Sequence, residues 1–395
     1  MKSKYFDTVN ANVNIKNGNY NINADINIGG QIINAKGTTT KDLYHSYNIA
    51  SRGNGLFDAA KLLKKYGYNL KGLETSKLPV KIKAHLSGKI DNLSGSYDIY
   101  SPFGKYIVEY EELYAKGKIR NLQSLNLDVN VKMEELWLNY QRFKNVAGEL
   151  NIKNNIVNIV DINNEKLNAA GYYNLKTGKM NIKSNLNNYV LYNTAGPEVN
   201  IYVKDMSMNL DGKLDNLYGN ITMSPAKTTL NSQYIGDTKG YVDIKNSVLN
   251  FRDFSLRNNN VQGIYDLKTG LADITLNIDE VDIPKLFKFK ELTFGTHSVL
   301  NLKGDLNKFD LTGKVNFDNI SYKGFKLPQV STLMEYTNGD VDKLFKYGIF
   351  DIKDFTLLGD NGEEIFKTHT KIDLANINID YKLENQKFSL DSVQD

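Results

Sequence analysis

The chain has 395 residues, 41% of them hydrophobic, no cysteine and a formal net charge of +4. The absence of cysteine excludes disulfides, thiolate metal sites and a thiol nucleophile. The basic residues are almost all lysine and are interspersed with acidic ones, whereas a nucleic-acid-binding surface would cluster them. We therefore expect a folded protein that is too long for one compact core and has no nucleic-acid partner.

Alternation of apolar and polar residues dominates the chain from its N-terminal part onward. Between Asn19 and Ile28 every even-numbered position is apolar and every odd-numbered position is polar. The same alternation returns in residues 125–131, 274–278 and 377–381. This pattern predicts half-buried β-strands.

Helical signals are sparse. Residues 56–66 have apolar side chains at helical spacing and are followed by Gly67, which predicts one short helix with a glycine cap. Residues 283–289 and 341–347 are predicted to form single helical turns.

A long segment of the sequence is repeated without a gap. Four of its glycines return 92 positions later: Gly148, Gly171, Gly178 and Gly212 become Gly240, Gly263, Gly270 and Gly304. A fixed period indicates a repeat architecture in which each unit packs against the next. We expect repeat copies at about 148–239 and 240–331. Residues 1–147 and 332–395 are expected to continue the same architecture, as one continuous domain over 1–395.

Short polar loops separate the alternating segments. Residues 16–18, 176–178, 268–270 and 337–339 are predicted to be hairpin turns. A second motif, 88–95, resembles 212–219 and predicts a strand–turn–strand unit. At roughly 25–30 strands, one flat sheet is excluded by accumulated strand twist. The predicted fold class is therefore all-β, with a long, repetitive, mostly antiparallel sheet curled into a trough or solenoid.

Catalytic signals are absent from the pattern. The four histidines, His45, His85, His297 and His369, lie far apart in sequence without a recognisable ligand set. Neighbouring acidic residues such as Glu111 and Glu112 point to opposite faces of a strand, which does not suit a carboxylate pair. We predict a protein that is not an enzyme and has no catalytic residues, no metal and no cofactor.

The apolar stripe is the candidate site. Its members keep the same phase in both repeat copies, so both copies are expected to present the same face inward. The candidate groove residues are Leu150, Ile152, Val157, Ile159, Tyr173, Leu175, Met180, Ile182, Val242, Ile244, Leu249, Phe251, Tyr265, Leu267, Ile274, Leu276 and Ile278.

Three interpretations of this stripe remain open. It lines an open groove that shelters acyl chains, with phospholipid as the partner, or it forms the dry closed core of a surface adhesin or structural β-solenoid. The third is a carbohydrate-active β protein, which would present exposed aromatic residues and a carboxylate pair on one face.

Several motifs resemble those of the TamB/AsmA-like proteins, the translocation-and-assembly-module family of diderm bacteria. They are the units at 86–95 and 210–219, the hairpins at 171–178 and 263–270, and the segment at 281–289. The resemblance covers most of the chain and implies a taco-like β trough with an apolar interior. It further implies phospholipid transport between the inner and outer membranes, and outer-membrane protein assembly with a barrel partner.

Family members are anchored in the inner membrane, yet the chain contains no run of about 18 apolar residues and no signal-peptide pattern. We therefore expect an internal fragment of a longer periplasmic or envelope protein, with the anchor elsewhere in the full-length chain.

Overall fold

A computed structural model describes most of the chain. The described residues are 7–28, 30–52, 56–58, 77–105, 109–138, 141–192, 198–230, 232–279, 292–305, 308–326, 329–339, 348–359, 361–376 and 378–386. They form 27 β-strands and one short 3₁₀ turn. The chain divides into two compact units. Unit 1 comprises residues 1–187 and 209–214, and unit 2 comprises residues 188–208 and 215–395.

Unit 1 contains the first thirteen strands and part of the next two. The strands are β1 (Thr8–Lys16), β2 (Asn19–Ile28), β3 (Gln31–Thr39), β4 (Tyr44–Arg52), β5 (Leu56–Asp58), β6 (Lys77–Pro79), β7 (Lys81–Lys89), β8 (Ser94–Lys105), β9 (Glu109–Asn121), β10 (Asn126–Leu138), β11 (Gln141–Lys153), β12 (Ile156–Asn163), β13 (Leu167–Asn174), β14 (Met180–Tyr192) and β15 (Val199–Lys213). The 3₁₀ turn, Ile90–Asn92, connects β7 and β8. The last residues of β14 and the first of β15 belong to unit 2.

Unit 2 contains the remaining strands. They are β16 (Asn216–Leu230), β17 (Gln233–Lys245), β18 (Val248–Leu256), β19 (Asn259–Asp266), β20 (Leu271–Asp279), β21 (Leu292–Asp305), β22 (Lys308–Tyr322), β23 (Phe325–Lys326), β24 (Gln329–Gly339), β25 (Ile349–Leu358), β26 (Glu364–Asp373) and β27 (Asn378–Gln386).

Within each unit, strands that follow one another in sequence pair antiparallel. In unit 1 the pairing runs from β1 to β4 and, after the small β5–β6 ladder, from β7 to β14. In unit 2 it runs from β16 to β22 and through β24 to β27. The predicted all-β class, with a long, repetitive, antiparallel sheet, is confirmed, and the sheet is open.

Two local predictions were wrong. Residues 56–58, the start of the predicted helix, form strand β5, because they pair with β6. Residues 337–339, a predicted turn, continue strand β24 instead. Asn338 has a φ of 55° there and Gly339 pairs with Phe309, so the Asn–Gly sequence forms an irregularity within the strand and not its end. The rest of the predicted helix, residues 59–66, and the predicted helical turns at 283–289 and 341–347 lie outside the described residues.

The turns of the two repeat copies form the same hydrogen bonds. The Gly178 N–H donates to the Asn174 carbonyl at 2.8 Å, and the Gly270 N–H donates to the Asp266 carbonyl at 2.8 Å. The side-chain oxygens of Asn174 and Asp266 each accept two further backbone N–H groups of the turn. Asn and Asp both provide the acceptor oxygen that this turn requires. The predicted turns at 176–178 and 268–270 are thereby confirmed.

The strands of the two copies also share their irregularities. The register between β12 and β13 shifts between Ile159 and Ile162, and that between β18 and β19 shifts between Phe251 and Phe254. These positions correspond at the 92-residue period. A bulge bends a strand and increases its twist, so both copies bend at the same place.

Candidate functional site

One continuous row of apolar side chains crosses the strands of unit 1. Directly paired residues in an antiparallel sheet share a face, so pairs can be followed from strand to strand. In twelve strands, β1–β4 and β7–β14, one path meets only apolar or aromatic residues and glycine. At about 4.8 Å per strand the path is roughly 50 Å long. This unit 1 row consists of Val13, Ile22, Gly37, Tyr47, Leu86, Gly95, Ile119, Leu127, Ile152, Val157, Tyr173 and Met180.

Unit 2 has a corresponding row. It crosses eleven strands, from β16 to β27 without β23, and again contains only apolar or aromatic residues and glycine. The same spacing gives a path of about 48 Å. This unit 2 row consists of Ile221, Val242, Phe251, Gly263, Ile274, Leu302, Leu311, Tyr336, Phe350, Ile372 and Ile379.

The residues next to each row form polar rows on the opposite face. Because successive side chains of a strand alternate between faces, a shift of one position changes the face. In unit 1 one such polar row is Asn12, Asn23, Lys36, Asn48, His85, Ser96 and Lys118. In unit 2 one is Gln262, Thr275, Asn301, Thr312, Glu335, Asp351, Lys371 and Asp380. Each sheet therefore has an apolar face and a polar face.

The two rows are only partly shielded from solvent. Buried members include Met180 in unit 1 and Tyr336 in unit 2. Most other members are half-buried, and the outermost ones, Val13 and Ile379, are 53% and 57% exposed. Side chains inside a closed sandwich are covered by a facing layer. Here the half-buried members leave apolar area accessible.

The structure places fifteen of the seventeen predicted groove residues in paired strands on this face. Members of the two rows are Ile152, Val157, Tyr173, Met180, Val242, Phe251 and Ile274. Those in parallel rows of the same face are Leu150, Ile159, Ile182, Ile244, Leu249, Tyr265, Leu276 and Ile278. Leu175 and Leu267 lie in the turns after β13 and β19, where Leu267 is 45% exposed. These two leucines are outside the paired rows.

More than half of the row members were not among the predicted residues. Examples are Leu86 and Ile119 in unit 1 and Leu302 and Tyr336 in unit 2. Each lies in an alternating segment, so the alternation marks its face. The alignment of distant segments into one row depends on register, which the 92-residue repeat indicates only within the repeated region.

A half-buried tyrosine shows how the apolar face accommodates a polar group. Tyr97 extends past Gly117, and its hydroxyl donates to the Asp128 carbonyl at 2.9 Å. Burial of the ring, and secondly the nearby Asp128 carboxylate, raise the pKa of Tyr97 to about 12. The hydroxyl therefore stays neutral and hydrogen-bonded.

Several charged groups pair across strands on the polar face. Lys353 pairs with Glu335, whose hydrogen bond raises the pKa of the lysine. Arg120 contacts the Asp128 carboxylate at 2.8 Å, and hydrogen bonding to that carboxylate raises the pKa of the guanidinium. These pairs keep charge away from the apolar rows.

The histidines have polar partners on neighbouring strands. His297 lies between Asp279 and Asp318, with 3.1 Å from Nε2 to the Asp318 carboxylate, and His369 contacts Asp351. The partners of these two histidines lie on other strands and are distant in sequence, so sequence proximity did not indicate them. Within the described ranges, no group of three or more His, Asp or Glu side chains is arranged to hold a metal ion.

The described part of the chain contains no helix with the length and hydropathy needed to span a membrane. Comparison with protein-family models, with curated proteins and with solved structures gives no match for this chain.

Proposed function

We propose that the chain is a non-enzymatic segment of a TamB/AsmA-like protein in the envelope of a diderm bacterium. In this proposal its apolar face shelters the acyl chains of phospholipids that pass between the inner and outer membranes. An inner-membrane anchor and an outer-membrane barrel partner belong to the same proposal, which takes them from the family resemblance of the hairpin motifs.

The unit 2 row is the observation that carries the proposal. Eleven strands contribute residues to it and none of these is charged, whereas the polar row on the opposite face carries Glu335, Asp351 and Lys371. A transported acyl chain requires such uninterrupted apolar contact, because an ionised group on its path would have to lose water of hydration. A β protein whose apolar side chains serve only as a core does not need this continuity, because polar residues can occupy the positions beyond the edge of the core.

Burial of methylene groups on the apolar face provides enough free energy to bind an acyl chain. Each methylene removed from water contributes about 0.8 kcal/mol, so ten methylenes on the apolar face contribute roughly 8 kcal/mol before the entropy of ordering is subtracted. The half-buried side chains of the row also gain from cover, since an extended exposed apolar surface promotes association with a partner.

The second candidate is a structural solenoid or adhesin with a dry, closed core. The partial burial of Ile274, Leu302 and Leu311 favours the open groove over this alternative, because a closed core would cover all three. The two candidates differ in one simple property, which is the presence of bound lipid.

The experiment is lipid extraction from chain purified without detergent, followed by mass spectrometry. Ile182→Asp and Ile274→Asp place a charge on the apolar face of each repeat copy and should remove most co-purified phospholipid. Lys183→Asp and Gln262→Asp place the same charge on the polar face and should leave the lipid unchanged. Circular dichroism of every variant distinguishes lost binding from lost folding. Ile274→Asn, which carries no charge, separates the effect of the charge from that of losing the isoleucine.

Two outcomes would contradict the proposal. One is wild-type protein that contains no phospholipid and takes up none from vesicles of phosphatidylethanolamine and phosphatidylglycerol. The other is equal lipid in folded Ile274→Asp and Gln262→Asp, since that would place the lipid somewhere other than the apolar face.

A further inference from the structure

A cleft opens on the polar face of unit 1, opposite the apolar row. It has a volume of about 510 Å³ and lies over strands β8 to β12. Its floor includes Ala147, a short side chain that pairs with Lys132 on one side and Asn163 on the other. Because the neighbouring side chains are longer than alanine, a depression forms between them. The volume lies within the range of small-molecule sites.

A pair of tyrosines stands at one end of this cleft. The rings of Tyr100 and Tyr114 are 4.9 Å apart, and the Tyr114 side chain lines the cleft. Both hydroxyls donate to the Glu112 carboxylate, at 3.1 and 3.0 Å. This shared acceptor fixes both rings, yet Tyr114 remains 48% exposed. A rigid, accessible aromatic face is therefore present on the polar side of the sheet.

The remaining walls carry both hydrogen-bond donors and acceptors. Three carboxylates, two ammonium groups and two amides line the cleft: Asp98, Glu149, Asp161, Lys116, Lys132, Asn130 and Asn163. Within the described part of unit 1, the side chains of Lys116, Lys132 and Asn130 form no hydrogen bond or ion pair with another residue. Asp161 is held in place by the amide of Asn168, which donates to one carboxylate oxygen at 3.0 Å, and by the amide of Asn163, which donates to the other.

These groups select a class of ligand. A polyanion would meet three carboxylates, and a cation would meet two ammonium groups. A neutral polyhydroxylated ligand can instead donate to the carboxylates and accept from the lysines and asparagines. The polarised C–H groups of a sugar ring also pack favourably on the negative face of an aromatic ring such as Tyr114.

We propose that this cleft is a binding site for a short neutral oligosaccharide, with Tyr114 as the stacking platform and the row from Asp98 to Asp161 as the hydrogen-bonding wall. This site is on the opposite face from the proposed lipid groove and is independent of it. Together with the lipid proposal, it gives the chain two ligands: a glycan on the polar face of unit 1 and acyl chains on the apolar face.

The test is calorimetric titration of the full chain with maltotetraose, cellotetraose and chitotetraose. At least one tetrasaccharide should bind with a millimolar or lower Kd. Tyr114→Ala should weaken that binding by about tenfold, the effect of losing one aromatic stacking contact. Tyr114→Phe, which keeps the ring, should bind within about twofold of wild type. Glu149→Gln and Lys132→Ala should also weaken it.

Tyr241→Ala is the matched control, since Tyr241 is an exposed tyrosine on the polar face of unit 2. It should leave the binding unchanged. Absence of binding for all three tetrasaccharides would overturn the proposal. Equal binding by wild type and a folded Tyr114→Ala variant would overturn it as well, because the sugar would then occupy another surface.

Discussion

Gly171 and Gly263 occupy equivalent positions in the two repeat copies, and alanine at either should open the sheet locally. Gly171 has a φ of +146° and Gly263 a φ of +134°. A Cβ added to Gly171 would lie 2.0 Å from the Asn181 carbonyl oxygen, and one added to Gly263 would lie 2.2 Å from the Asp273 carbonyl oxygen. Both contacts are with the backbone of the next strand, so no side-chain rotation relieves them.

The structure gives the magnitude. An unusual positive φ costs an alanine about 1–2 kcal/mol. To restore a normal contact distance the neighbouring strand must also move by about 1 Å or more, which breaks one or two ladder hydrogen bonds at about 0.5–1.5 kcal/mol each. The sum is about 1.5–5 kcal/mol for the local opening of β13 from β14, or of β19 from β20.

Amide hydrogen exchange measures this local opening directly. In Gly171→Ala the amides of β13 and β14 should exchange at least about tenfold faster than in wild type, the equivalent of about 1.5 kcal/mol. Gly263→Ala should do the same to β19 and β20. Gly178→Ala is the control, because its φ is +69° and its nearest neighbour, the Tyr173 hydroxyl, is 3.8 Å away. If Gly178→Ala and Gly171→Ala accelerate exchange equally, steric contact with the neighbouring strand does not determine the need for glycine.

Two further predictions concern the turn and the aromatic packing in unit 2. Hydrogen bonds from the backbone N–H of Lys268, foremost among several causes, lower the pKa of Asp266. Its contribution to stability is therefore present above the ordinary carboxyl pKa and is lost as pH falls through the lowered value. In NMR titrations to low pH the amides of Lys268 and Thr269 should shift, and those of the Asn174 turn should not; equal shifts would refute this. Tyr336 is 1% exposed and stacks on Phe350 at 4.4 Å, so Tyr336→Ala should cost about 3–5 kcal/mol in urea unfolding. A loss below about 1 kcal/mol would show that the site collapses around the smaller residue.

The sequence predicted the strands and their faces well because alternation is a local property. The segment from Asn19 to Ile28 alternates without exception, and it forms β2 with the same bounds. The repeat also carried register from one copy to the other. Asn154 and Asn155 adopt positive φ between β11 and β12, and Asn246 and Ser247 do so between β17 and β18. Equivalent turns of equal length set equivalent pairing in both copies.

Features that depend on distant pairing could not be predicted in the same way. The apolar spacing of residues 56–58 suited a helix, but these residues pair instead with β6, where Leu56 lies opposite Pro79, far beyond it in sequence. The hydrogen bonds of Tyr100 and Tyr114 to Glu112 join β8 to β9. The contact of His369 with Asp351 joins β25 to β26. Propensity and periodicity carry no information about which polar side chains meet across strands.

The varied size of the row side chains indicates what kind of cover the apolar face accepts. In unit 2 the row changes from Gly263 to Phe350 and Tyr336, so its surface is uneven from strand to strand. A second sheet could pack there only with a complementary sequence of large and small side chains, because protein interiors are close-packed. A flexible acyl chain fills such a surface without complementarity, since each methylene adjusts by rotation about single bonds. An uneven, uncharged and half-buried row is therefore better suited to lipid than to a fixed protein layer, and this is why the charge substitutions at Ile182 and Ile274 test the proposal at its central point.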